Sequence, residues 1–149
     1  MDCLRALGAG LVRFSAMHIV VVDNAAGDGS VERLTEAIER NAWQPWATVI
    51  ASDRNGGFAY GNNVGIKPAM EASHRPEYVM LLNPDTVVHA GAIRALVDFM
   101  DGHPQAGIAG SLLESSDGRP DCSAHNDFTP IGELVSGESL GVLGRARRR

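Results

Sequence analysis

Four consecutive apolar residues, Ile19-Val20-Val21-Val22, stop abruptly at Asp23-Asn24. A run this short, β-branched and uninterrupted is the mark of a strand covered on both faces, as in a parallel sheet flanked by helices. Two further runs are strand candidates. Thr48-Val49-Ile50-Ala51 leads to Asp53, and Tyr78-Val79-Met80-Leu81-Leu82 ends at Asn83-Pro84, where the residue before proline is pushed to extended geometry and proline cannot donate to a ladder.

Helical spacing fills the intervals. Residues 3–12 place Leu4, Leu7, Leu11 and Val12 near one face. Ser30 is positioned to cap a helix whose Val31, Leu34, Ala37 and Ile38 align. A short helix is expected after the glycine- and asparagine-rich stretch 55–65, and another carries Ile93, Leu96, Val97 and Met100 before closing at Gly102-His103-Pro104. Residues 107–113 form a weaker fourth strand candidate, followed by the turn signal Ser116-Asp117-Gly118. Strands alternating with helices at this spacing predict an α/β fold with a mostly parallel sheet.

At 149 residues, 44% hydrophobic and 21% charged, the chain has the composition of one globular domain. Net charge is −5, but Arg145, Arg147, Arg148 and Arg149 crowd the end, and without them nine basic residues face eighteen acidic ones. So acidic a body excludes nucleic-acid binding through a basic surface. The arginine end reads as a solvated tail, with contact to anionic lipid or nucleic acid as the other reading. Cys3 and Cys122 fit neither a disulfide framework nor a zinc spacing, and no run is long enough to span a bilayer. A cytoplasmic location, at most touching the inner membrane face, is the expectation.

Ligands of open α/β sheets bind outside the carboxyl ends of the strands. Asp23-Asn24, Asp53 with the glycine-rich stretch, and Asn83-Pro84-Asp85-Thr86 all fall there. Asp85 beside Thr86 can offer oxygen to a hard divalent cation that binds a diphosphate, or it can simply open a turn. Asp23 can meet a ribose or base, or cap the next turn. The run from Asn55 to Asn63 supplies backbone N–H groups suited to an anion, with Phe58 and Tyr60 read as packing residues. None of the five histidines pairs with another His or a Cys at metal-ligand spacing.

In this order, Ile19-Val20-Val21-Val22-Asp23-Asn24 with Asp28-Gly29-Ser30, the stretch from Asn55 to Asn63, and Leu81-Leu82-Asn83-Pro84-Asp85-Thr86 resemble glycosyltransferase family 2, in its rhamnosyltransferase-like branch. The resemblance implies a GT-A fold, a nucleotide-diphosphate sugar donor, a Mg or Mn ion, and inversion at the anomeric carbon of a sugar passed to a glycan or lipid-linked acceptor. Carried over by position, Asp23 and Asn24 contact the donor, Gly57, Gly61 and Asn63 shape its pocket, and Asn83 and Asp85 stand in the DxD-like motif, with Asp85 on the metal. Pro68 departs from the pattern, because a helix continuing from Asn62 would kink there.

The resemblance also implies absences. A strand ending in a Thr-Tyr-Asn-like motif is expected before the helix near Cys3, between the Ile19 and Tyr78 strands in the sheet, and this chain starts after it. The later half with the acceptor site and catalytic carboxylate is missing as well; nothing matches Glu114, Asp117 or Asp121 to that base. The expected organisation is a partial nucleotide-sugar-binding domain over residues 1–120 and a loop-rich remnant over 121–149, inactive alone. Two other readings compete. A non-catalytic remnant is one; a receiver-type phosphoacceptor domain is the other, disfavoured because Asp23-Asn24 is a poor acidic pair and Lys67 precedes Asp85.

Overall fold

A computed structural model describes residues 2–11 and 17–121. The chain divides into two compact units, residues 1–98 and 99–149. The first holds α1 (Asp2–Leu11), β1 (Ile19–Asp23), α2 (Ser30–Arg40), β2 (Ala47–Ala51) and α3 (Gly57–Glu71), and α4 (Ala92–Gly102) begins in it. The second contains a small antiparallel hairpin of β3 (Leu113–Glu114) and β4 (Pro120–Asp121).

β1 and β2 are parallel neighbours in strict register, from Ile19 opposite Ala47 to Asp23 opposite Ala51. The ladder continues past both ends through Ile19 N–H to Trp46 C=O at 2.7 Å and Ser52 N–H to Asp23 C=O at 2.8 Å. α2 packs on β2 and α3 on β1. Among the described residues the buried apolar side chains are few: Cys3, Leu4 and Leu7 of α1, Ala37 and Ile38 of α2, and Ala47, which is only 2% exposed. α1 approaches the Trp43–Trp46 pair closely, for a Cβ at Gly8 would lie 3.2 Å from the Trp46 ring.

Three expectations from the sequence need correction. The glycine-rich stretch is not a loop before a short helix: α3 starts inside it at Gly57 and runs through Pro68 to Glu71. Gly57, Gly61 and Gly65 recur every four residues and so lie along one side of the helix. A Cβ at Gly65 would come within 3.1 Å of Val22 and 3.5 Å of Val20, so the absent side chain lets α3 sit directly on β1. Close packing thus offsets the entropy that glycine costs a helix.

The second correction concerns residues 78–82, which join no ladder. Val79 is 47% and Leu81 51% exposed. A strand needs a ladder partner on at least one edge; among the described residues the parallel ladder joins β1 and β2 alone. The fourth strand shrinks for the same reason, with only Leu113 of residues 107–113 paired, and that to Asp121 of the hairpin.

Third, Ser30 does not cap α2. It is the first helical residue, and Gly29 takes the cap position in a left-handed conformation at φ 77°. Asp28 does the work expected of the serine, accepting the Ser30 N–H at 3.0 Å and the Ser30 hydroxyl. Those bonds hold the Asp28 carboxyl below the usual range.

Candidate functional site

The carboxyl ends of β1 and β2 meet, as the parallel pairing requires. Asp23 ends β1, and its Oδ2 accepts the Ala26 N–H at 3.2 Å, turning the chain away from the sheet. Ala25 at φ 57° and Gly27 at φ 67° continue that turn in left-handed geometry. The alanine adopts this region at roughly 1 kcal/mol of strain. Between the turn and the start of α2 lies an open cleft of about 390 Å³ lined by Asp23, Ala25, Gly27, Gly29, Ser30, Val31 and Glu32. Its walls combine helix-terminal backbone N–H groups with two carboxylates, so they suit a ligand offering hydroxyl donors as well as one anionic part.

On the other side of Asp23, Asn24 reaches across to the β2–α3 connection. Its Nδ2 donates to Asn55 Oδ1 at 2.9 Å and to Gly57 C=O at 3.2 Å, and Gly61 lies buried beneath it. Asp23, Asn24, Gly57 and Gly61 are therefore brought to one sheet edge. Asn63 lies two residues further along α3 with its side chain exposed.

The connection also holds a cluster that the sequence did not signal. The Tyr60 hydroxyl donates to Asp53 Oδ1 at 2.5 Å, and the Arg54 guanidinium lies 4.6 Å from the Tyr60 ring centroid. The Tyr60 bond holds the Asp53 carboxyl below its usual range, and the same bond raises the phenol. A Cβ at Gly56 would collide with the Tyr60 ring, which explains the glycine. Phe58, read as a packing residue, is instead 66% exposed. The spacing of Asp53, Arg54 and Tyr60 across a helix start could have suggested the cluster; the five residues between Arg54 and Tyr60, Gly56 and Gly57 among them, disguised it.

Asn83 and Asp85 occupy a tight turn. Asn83 C=O accepts both the Thr86 N–H at 3.3 Å and the Thr86 hydroxyl at 2.7 Å. Asp85 is exposed at its tip. This turn meets the start of α1: burial pushes the Cys3 thiol up, the Asp85 charge adds to that, and a hydrogen bond with the Thr86 side chain opposes it. Among the described residues no three His, Cys, Asp or Glu side chains gather as a metal cage. The donor set thus fits a cation only as one carboxylate of a shell completed by ligand oxygens, which is how magnesium commonly binds with diphosphates.

Residues 2–143 match the family model for glycosyl transferase family 2. The chain belongs to that family, and its helices and small parallel sheet form a partial α/β GT-A fold. No curated protein and no solved structure matches it. No helix among the described residues is long and apolar enough to cross a membrane.

Proposed function

We propose that this chain is the donor-binding portion of an inverting glycosyltransferase, which transfers a sugar from a nucleotide diphosphate to a hydroxyl of a glycan or lipid-linked acceptor. Rhamnose is the sugar that the motif resemblance favours, in cell-surface polysaccharide synthesis. The observation that carries the reading is the joining of Asp23, Asn24, Gly57 and Gly61 at the carboxyl edge of β1 and β2 in a family 2 chain. Asp23 and the cleft beside it would take the nucleoside. Asn63 and Asn83 would line the donor pocket further out. Asp85 would give one carboxylate to a Mg or Mn ion, which neutralises diphosphate charge when bound.

That residues 78–82 join no ladder favours a qualification of that reading: by itself the chain binds donor without turnover. A further strand supplying partners to β1 and to this run would complete the pocket wall. Calorimetric titration with thymidine-diphosphate rhamnose and uridine-diphosphate glucose, with and without Mn²⁺, tests the assignment. Metal-dependent binding that Asp85→Ala weakens at least about tenfold supports it. Binding unchanged in the variant removes Asp85 from the site, and no binding of either sugar nucleotide contradicts the donor-binding reading.

A further inference from the structure

Asn24 stands one residue past β1, and both hydrogens of its amide are committed. Nδ2 donates to Asn55 Oδ1 at 2.9 Å and to Gly57 C=O at 3.2 Å. Because both partners are acceptors, the orientation of the amide is fixed: turned over, it would set oxygen against two oxygens. Asn55 Oδ1 also accepts the Gly57 N–H at 3.1 Å, so one carboxamide oxygen ties the turn before α3 to itself and to β1. Asn24 Oδ1 is buried and has no hydrogen-bond partner among the described residues. It faces Gly61, where a Cβ would sit 3.6 Å away. An acceptor buried in this way has given up its water without a replacement, which is destabilising. The amide is thus held against a local cost, and neither of its ends is presented to a ligand in the cleft.

We propose that Asn24 is a positioning residue, a clip that fixes residues 55–57 and the first turn of α3 against the carboxyl end of β1 and so sets the donor pocket without touching the donor. This deepens the glycosyltransferase reading and rests on it for the ligand alone. The clip itself is a matter of the chain's own geometry. Asn24→Asp keeps the shape and replaces the donating nitrogen by an oxygen facing two acceptors, so it should break the clip as fully as Asn24→Ala. Asn55→Ala breaks it from an exposed position and leaves β1 untouched.

Amide hydrogen exchange on the 149-residue chain, read together with the affinity for uridine and thymidine diphosphates in Mn²⁺, tests the proposal. In Asn24→Asp and Asn55→Ala, amides of residues 55–61 should exchange at least about tenfold faster while those of α2 keep their rates. Nucleotide affinity should fall in both variants, and the double variant should add little to either single one. Weaker nucleotide binding with unchanged exchange at 55–61 would make Asn24 a direct contact and overturn the proposal. Unchanged exchange and unchanged binding would overturn it too. If the wild-type chain binds neither nucleotide, the donor reading fails while the exchange rates still decide the clip. Should Asn24→Asp not fold, Asn55→Ala decides by the same rates.

Discussion

Residues 19–22 and residues 78–82 are built from the same kind of side chain, and each is followed by an acidic or amide residue at the point where a ligand could bind. Yet β1 is laddered to β2 and covered by α3, whereas residues 78–82 have no ladder and Leu81 is half exposed. The difference lies in the neighbours. β2 presents Ala47 to Ala51 in register with β1, and Gly65 lets a helix settle on Val20 and Val22. Apolar composition makes a segment able to be a strand; a free edge of matching register makes it one.

Closing the glycine seam should break the packed half most severely. Gly65→Val places a side chain 3.1 Å from Val22 and is expected to cost about 1–3 kcal/mol, seen as a lower midpoint in urea unfolding. An unchanged midpoint would mean that α3 does not rest on β1. Truncation should then separate the two runs: Val22→Ala is expected to cost about 1–2 kcal/mol, and Val79→Ala less than about 0.5 kcal/mol. Equal losses would show that residues 78–82 are packed after all.

The apolar exposure of the second run gives a complementary test. Met80→Lys with Leu81→Asp should lower the fluorescence of a bound hydrophobic dye while leaving the thermal midpoint within about 1 °C. A large fall in the midpoint would put these side chains in a core.

The smallest effect belongs to Asp53 and Tyr60. The carboxyl of Asp53 is held below its ordinary value of 3.8, so its contribution is present above that value and is lost as pH falls through the lower folded one. Tyr60→Phe removes the cause. Between about pH 5 and about pH 3 the wild-type midpoint should therefore fall slightly further than that of the variant. Both groups are solvent-exposed, so the difference will be a degree or so at most, and a steeper fall in the variant would contradict the assignment.

Much of the first unit was legible in the sequence because local signals agreed there. β1, α2, β2 and α4 fall within a residue or two of their periodic patterns, and α1 follows its leucines. The convergence of Asp23 and Asn24 with Gly57 and Gly61 followed from parallel pairing alone. α3 was misread because glycine is a poor helix former on its own, and only the close approach of Gly65 to Val20 and Val22 shows why a glycine is needed there. The clip through Asn55 was hidden for a related reason: two asparagines 31 residues apart carry no local signal that they share a hydrogen bond. Residues 78–82 were read as a strand on composition, and composition does not report whether an edge is available. The expectations that rest on Cys122 and on the arginine end lie outside the described residues.

Residue-resolved amide exchange of the wild-type chain compares the two runs most directly. Amides of Val20, Val21 and Val22 should be protected by at least about a hundredfold relative to those of Val79, Met80 and Leu81, which should exchange near the rate of an open chain. Equal protection in both runs would contradict the claim that a strand forms here only where an edge receives it.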